Sequence, residues 1–173
     1  MKQFLFIFLN LSGALHAAPP NFLLIFADDH GYGDVSAYHE SDARTPNIDR
    51  IGKEGLLFTA MRANCTVCSP SRAALLTGRY ADRVGVPGVI RTKPEDSWGY
   101  FKPGVPTIAD ELKKVGYHTG IIGKWHLMTD PAGYDYWNVL PGQGAYYNPP
   151  MIEMGKQVKY EGYCTDIIGD LTL

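Results

Sequence analysis

The stretch "PTIADELKKVGYHTGIIGKWHL", Pro106–Leu127, reads as a helix, a strand and a polar loop in direct succession. Thr107 is expected to cap the helix, with Asp110 at its third position and Gly116 ending it. The next residues, Tyr117–Gly123, have the apolar character of a strand, and "KWHL" is predicted to be the loop beyond. A helix that leads directly into an apolar strand is typical of α/β proteins.

Helices and strands alternate upstream of this stretch as well. "NFLLIF" predicts a buried strand over Phe22–Ala27, and "LLFTAMR" predicts another. Two further helices are expected, each opened by a capping residue and a proline and closed by a glycine: one runs from Thr45 and Pro46 to Gly55, the other from Ser69 and Pro70 to Gly78. The predicted fold class is therefore α/β, with a mostly parallel sheet flanked by helices.

The overall composition limits the function classes. The chain has 173 residues, 45% hydrophobic and 20% charged, which indicates one folded domain rather than disorder. The net charge of −2 comes without a charged run, so neither nucleic acid nor an acidic membrane surface is an expected partner. The cysteine count of three leaves at least one thiol unpaired or chemically altered.

The N-terminus predicts export. Residues 1–18 begin with Lys2, continue with an apolar run and end in small residues, as a secretory signal peptide does. The alternative is a buried N-terminal strand, but Pro19 and Pro20 separate the run from the remainder of the chain. The run is too short to span a membrane. We expect a periplasmic, extracellular or secretory-pathway protein with no membrane span.

Three polar clusters fall at predicted strand ends or at a helix start. They are Asp28-Asp29, the segment from Cys68 to Arg72, and Lys124-Trp125-His126. In parallel α/β sheets, ligands bind beyond the carboxyl ends of the strands. We therefore expect these clusters to lie near one another and to form a binding site.

The two adjacent aspartates have the chemistry of a cation site. Asp28 and Asp29 would point to opposite faces inside a strand, so both can face one ion only where the strand has ended. Their hard oxygen ligands favour Ca²⁺ or Mg²⁺. Turn and cap chemistry is the competing explanation.

Cys68 is expected at a helix N-terminus, where free N–H groups and the helix dipole favour an anion. Arg72, one turn on, offers forked donors to the same place, so a nucleophile beside an anion cradle is one interpretation. A zinc or redox pair with Cys65, a Cys65–Cys164 disulfide and a capped helix with a buried cysteine stay open as alternatives. Lys124 and His126 have the chemistry to bind a substrate anion and protonate a leaving group.

The block "CSPSRAALLTGR", Cys68–Arg79, resembles the signature of the type I sulfatases, the formylglycine-dependent members of the alkaline phosphatase superfamily. "FADDHGYGD", "TPNIDRIGKEGLLF" and "GYHTGIIGKWHL" resemble that family's other N-terminal blocks, in the same order. The resemblance covers Asn21 to His126. It implies an alkaline phosphatase-like fold and the hydrolysis of sulfate esters.

The resemblance also implies roles for the clusters. Cys68 matches the cysteine that a maturing enzyme oxidises to formylglycine, whose hydrated aldehyde attacks sulfur and later expels sulfate. Asp28, Asp29 and Cys68 match contacts of the metal, usually Ca²⁺. Arg72 matches the residue that orients the nucleophile, while Lys124 and His126 match residues that bind sulfate and the modified side chain. The implied partners are a sulfated small molecule or glycan and a formylglycine-generating enzyme.

Some features depart from the family pattern. Many members carry His where Asp82 stands, and members are usually far longer, with further ligands downstream. Residues 21–173 are therefore expected to be the N-terminal portion of a catalytic domain, inactive alone. A phosphoester or phosphonate hydrolase and a catalytically silent fragment are the alternative functions. The aromatic stretch from Tyr134 onward is expected to be a surface loop that shapes a pocket, and it resembles segments of sulfatases that act on sulfated amino sugars.

Overall fold

The computed structural model describes residues 18–39 and 42–173. The expected signal peptide falls almost entirely on residues outside this range. The chain forms two units, Met1–Thr45 and Pro46–Leu173, and each is described by itself. None of the helices in the described ranges is long and apolar enough to cross a membrane.

In the described residues of the first unit, 18–39 and 42–45, the chain forms turns and irregular segments. A 3₁₀ turn spans Tyr32–Asp34, and the carboxylate of Asp34 accepts a hydrogen bond of 2.8 Å from the backbone N–H of Gly31. The hydroxyls of Ser36 and Thr45 each accept a hydrogen bond of 3.0 Å from the other's backbone N–H. The Thr45 hydroxyl is therefore engaged within this unit.

Two of the strand predictions are wrong for the described structure. Neither Phe22–Ala27 nor the segment 56–62 is a strand there. The side chains of Leu23 and Leu56 are 73% and 81% exposed, so these apolar runs are not core strands. An apolar run supplies the tendency to be buried, but a strand also needs a neighbour that pairs with its backbone. The paired strands of the described sheet all lie after residue 119.

The second unit contains four helices. Helices α1 and α3 lie where the capping signals predict them, and Thr107 and Asp110 cap α3 through hydrogen bonds of 2.7 and 2.8 Å. Gly78 closes α2 in the left-handed conformation, with φ of 65°. The bounds are α1 Pro46–Glu54, α2 Cys68–Thr77, α3 Ile108–Lys114 and α4 Cys164–Thr172.

Helix α2 begins earlier than expected. Its N-cap is Val67, in an extended conformation, so Cys68 is itself the first helical residue. Ser69 is fully buried inside the first turn, where its hydroxyl accepts a hydrogen bond of 3.1 Å from the backbone N–H of Ile90. Ser69 therefore fastens the helix to a neighbouring loop and does not cap it.

The sheet has four strands in the order β1-β2-β3-β4, and it is mixed. Strand β1 pairs in parallel with β2, whereas the β2–β3 and β3–β4 pairs are antiparallel. The α/β class is thus confirmed, but the described sheet is not mostly parallel. The bounds are β1 Gly120–Lys124, β2 Tyr136–Leu140, β3 Pro150–Glu153 and β4 Lys156–Lys159.

The C-terminal third is more regular than the predicted aromatic loop. Residues 134–173 contribute β2, β3, β4 and α4, and the longest connection between these elements is 141–149. The β3–β4 hairpin turns through Met154 and Gly155, both at positive φ (45° and 83°), a geometry typical of tight two-residue hairpins.

The core consists of two clusters. The larger one joins α2 to the β1–β2 pair and includes Ala73, Trp125, Leu127 and Trp137. The smaller one lies under α4 and contains Leu140, Met151, Cys164 and Ile167. Both clusters pack against β1 and β2 or the residues just after them, so the carboxyl ends of this parallel pair are firmly positioned.

Candidate active site

Cys68 occupies the first position of α2 and is partly exposed. The N-cap residue, Val67, makes no side-chain hydrogen bond to this helix end, and the helix dipole favours an anion there. The rest of the first turn is buried, including Ser69 and Pro70. The structure therefore presents the Cys68 side chain on a rigid support.

Arg72 connects this helix to the sheet. It lies one turn after Cys68, is only 8% exposed, and donates a hydrogen bond through Nη1 to the carbonyl oxygen of Lys124 at 2.5 Å. Lys124 is the last residue of β1. The first turn of α2 and the carboxyl end of β1 are thereby held together, as the sequence predicts for two of its three clusters.

The residues after β1 are partly core and partly candidate site. Trp125 is buried against Phe101 and Tyr134 in edge-to-face contacts, so it belongs to the core. His126 is 6% exposed and has a left-handed backbone with φ of 52°. In an extended strand the side chains of Lys124 and His126 would lie on the same side of the sheet. The backbone is no longer extended at His126, so this alternation of side chains does not hold there.

Asp28 and Asp29 lie in the first unit, both exposed, where the backbone bends. Asp29 has φ of 54°, so the chain has left the extended conformation that would send adjacent carboxylates to opposite faces. Within residues 18–39 and 42–173, no group of three or more His, Cys, Asp or Glu side chains is assembled for a metal. The two carboxylates fit the hard-oxygen chemistry of Ca²⁺ as part of a ligand set.

The cysteines are all free in the structure, so the Cys65–Cys164 disulfide that the sequence left open is not formed. Cys164 is buried at the start of α4, and this burial raises the pKa of its thiol. A thiol held in its neutral form is a poor nucleophile. Of the two cysteines that begin helices, only Cys68 is accessible.

A cavity of about 150 Å³ lies beside Trp125 and is lined by Phe101, Val105 and Thr129 among others. Cys68, Arg72, Lys124 and His126 do not line it. The cavity is therefore separate from the candidate site. Two of the residues that line it are joined by a hydrogen bond, which the indole N–H of Trp125 donates to the carbonyl of Thr129.

Sequence reasoning missed how the aromatic segment is anchored. Asn148 donates its backbone N–H to the carbonyl of Gly162 and accepts from the N–H of Gly162 through its side chain, both at 2.8 Å. Tyr147 and Tyr163 form an antiparallel bridge beside this pair. The Asn-Pro dipeptide marks a turn in the sequence, but nothing local identifies its distant partner.

Comparison with known proteins places this geometry in a family. A solved structure described as bound to its substrate D-glucosamine-2-N,6-O-disulfate matches with a TM-score of 0.74 and 37% identity, over 84% of this chain and 28% of that one. N-acetylglucosamine-6-O-sulfatase of Bacteroides thetaiotaomicron is 38% identical over 154 residues, which cover 87% of this chain and 26% of that protein. Arylsulfatase A of Bos taurus is 48% identical over 123 residues, which cover 70% and 24%.

The fold is therefore alkaline phosphatase-like. Cys68 lies at the start of a helix that a hydrogen bond from Arg72 joins to the end of a neighbouring strand. The chain belongs to the sulfatase family, whose family model matches residues 20–169. It spans about a quarter of the length of the curated relatives it matches.

Proposed function

We propose that the protein hydrolyses sulfate esters, releasing an alcohol and sulfate, and that the nucleophile is made from Cys68. The observation that carries this proposal is the hydrogen bond from Arg72 to the Lys124 carbonyl. It fixes the partly exposed start of α2 against the carboxyl end of β1. The cationic side chain of Lys124 ends that strand, and His126 follows two residues later. A nucleophile, an anion cradle and a proton-transfer group are thus supplied by two connected elements.

Cys68 is the proposed substrate of a maturing enzyme that oxidises it to formylglycine. The hydrated aldehyde would supply two hydroxyls, one to attack sulfur and one that loses its proton to expel sulfate and restore the aldehyde. The helix N-terminus beneath it stabilises negative charge on the sulfate oxygens. Arg72 acts as a positioning residue, because its guanidinium holds the first turn of α2 in place.

Lys124 and His126 complete the proposed site. Lys124 ends β1 and places an ammonium group at the sheet edge, where it would bind a sulfate oxygen as a point charge. His126 is held in a buried, left-handed position two residues later. Its imidazole would contact the modified Cys68 side chain or protonate the departing alcohol.

Asp28 and Asp29 are the proposed protein ligands for a divalent cation, Ca²⁺ or Mg²⁺, together with the modified Cys68. Their adjacent carboxylates and the bent backbone at Asp29 support this assignment. When bound, the cation would neutralise sulfate charge and lower the pKa of the attacking hydroxyl. Residues outside this chain segment would complete the 6–8 oxygen ligands that Ca²⁺ takes.

The proposed substrate is a sulfated carbohydrate, most directly a sulfated amino sugar. This choice is supported by the relative described as an N-acetylglucosamine-6-O-sulfatase and by the structure bound to a disulfated glucosamine. The proposed location is outside the cytoplasm, because residues 1–18 have the pattern of a signal peptide.

The test is a direct comparison of ester classes. The complete protein, co-expressed with a maturing enzyme and supplied with Ca²⁺, is assayed on N-acetylglucosamine-6-sulfate, a fluorogenic aryl sulfate and the matching aryl phosphate. Cys68-dependent release of sulfate is the expected result. Faster turnover of the phosphate would instead assign the protein to the phosphoester hydrolases, and no turnover of any ester would support a catalytically silent protein.

A further inference from the structure

The segment 141–149 leaves the sheet at the same edge as the candidate site. Strands β1 and β2 are parallel, and Lys124 pairs with Leu140, the last residue of each strand. The chain after Lys124 leads to His126, and the chain after Leu140 leads to Tyr146 and Tyr147. Both segments therefore start from adjacent positions on one edge of the sheet.

This segment carries exposed aromatic rings in a fixed arrangement. The rings of Tyr147 and Tyr163 lie with their centroids 5.3 Å apart and their planes inclined by 44°. Tyr147 is 68% exposed and Tyr163 is 41% exposed. We call the rings of Tyr147 and Tyr163 the tyrosine platform.

The backbone under the platform is held by hydrogen bonds. Cys164 donates its N–H to the carbonyl of Tyr146 at 2.8 Å. Asn148 and Gly162 are joined by two hydrogen bonds, each of 2.8 Å. Tyr160 is attached to the sheet, because its hydroxyl accepts a hydrogen bond of 2.7 Å from the side chain of the fully buried Asn138. The backbone that carries the rings is therefore held in place before any ligand arrives, which lowers the entropic cost of ordering it on binding.

From these contacts we propose that the tyrosine platform is a carbohydrate subsite that binds the pyranose ring next to the sulfated sugar. This inference rests on the proposed function, and it extends that function from a single sulfated residue to an oligosaccharide. Flat tyrosine rings cover the apolar C–H face of a sugar, and their hydroxyls offer hydrogen bonds at the rim. Rigid aromatic side chains of this kind provide contact area at low conformational cost.

The proposal is tested by comparing a monosaccharide with an oligosaccharide. The complete protein, matured and supplied with Ca²⁺, is assayed on N-acetylglucosamine-6-sulfate and on a tetrasaccharide that ends in this sugar. We expect the wild-type protein to have a higher kcat/KM for the tetrasaccharide than for the monosaccharide. Tyr147→Ala and Tyr163→Ala should each lower kcat/KM for the tetrasaccharide about tenfold, a loss typical of one stacked ring. Turnover of the monosaccharide should stay unchanged in these two variants. Tyr80 is an exposed tyrosine outside the platform, so Tyr80→Ala should leave the turnover of both substrates unchanged.

Two results in this assay would overturn the platform while leaving the sulfatase proposal intact. One is a wild-type protein that shows no preference for the tetrasaccharide. The other is a preference that survives in both alanine variants. Absence of turnover for both sugars, by contrast, contradicts the proposed function itself.

A binding measurement on the wild-type protein decides the case without any variant. Exposed tyrosines are nitrated with tetranitromethane and read by mass spectrometry, with and without an unsulfated N-acetylglucosamine oligosaccharide. Protection of Tyr147 and Tyr163, but not of Tyr80, is expected. Unprotected platform tyrosines would refute the subsite, and so would tyrosines that resist nitration without sugar, since another part of the protein would then cover them.

Discussion

The guanidinium of Arg72 donates a 2.5 Å hydrogen bond to the carbonyl oxygen of Lys124, across 52 residues of sequence. This contact joins the start of α2 to the end of β1, and it does so from a nearly buried side chain. The planar fork of arginine suits a fixed carbonyl in a way that the single ammonium of lysine does not.

Replacing Arg72 with lysine should therefore damage both stability and activity. A hydrogen bond from a charged group contributes about 1.5–3 kcal/mol, and we expect a loss of that size in the free energy of unfolding. Denaturant titration measures it, and kcat should fall because the nucleophile is displaced. Arg79→Lys, at an exposed position in the same sequence motif, is the control and should cost about 0.5 kcal/mol or less. An Arg72→Lys variant with wild-type stability and kcat would contradict the positioning role.

Cys68→Ala should reduce sulfate release to the uncatalysed level, because alanine cannot be converted to the proposed nucleophile. Cys68→Ser should also be inactive unless the maturing enzyme accepts serine. Cys65→Ala, three residues away and also free, is the matched control and should keep its activity. Mass spectrometry of the peptide that contains Cys68 should show an aldehyde; a wild-type rate in Cys68→Ala would disprove the assignment.

Exhaustive chelation should lower activity, and added Ca²⁺ or Mg²⁺ should restore it. The Asp28→Asn and Asp29→Asn variants should each weaken cation binding measured by calorimetry, since each replaces a carboxylate ligand with a neutral amide. Asp170→Asn, which removes an exposed carboxylate from α4, is the control. Unchanged cation affinity in both Asp28 and Asp29 variants would place the metal elsewhere.

Asp135 should make folding stability depend on pH in acid. Hydrogen bonds from Lys113 and from the backbone N–H of Thr119 lower the pKa of Asp135 from 3.8 to about 2. Because the folded-state pKa is the lower one, this stabilisation is present above about pH 4 and is lost as the pH falls towards 2. The Tm of the wild type should therefore drop more steeply over this interval than that of Asp135→Asn. Parallel curves would show that the carboxylate is not coupled to folding.

The elements that the sequence predicted well depend on local chemistry. Helix α3 is defined by Thr107, Asp110 and Gly116, and all three residues act within one or two turns of the helix. Helix α2 is predictable for the same reason, although its first residue is misplaced because a buried Ser69 has the same residue type as a cap. The nearness of the Cys68–Arg72 and Lys124–His126 clusters was expected from the α/β arrangement, whereas the hydrogen bond between Arg72 and Lys124 had no local signal.

The elements that were missed depend on distant partners. Strand β2 contains the polar, buried Asn138 in its centre, where the side-chain nitrogen donates a hydrogen bond to the distant Tyr160 hydroxyl. The hairpin of β3 and β4 begins with Pro150 and turns at Met154, a residue that rarely adopts positive φ. Conversely, Phe22–Ala27 has the composition of a core strand but does not form a strand in the described structure.

Lys124 and Leu140 end neighbouring parallel strands, and the two segments that follow them are held by different parts of the molecule. Residues after β1 are fixed by the core through Trp125 and Leu127, whereas residues 141–149 are attached mainly to the segment before α4. Insertions or exchanges in 141–149 would therefore alter the surroundings of the site without displacing Lys124 or His126. A library confined to these nine positions would vary the proposed sugar-binding surface while leaving the proposed catalytic residues Lys124 and His126 unchanged.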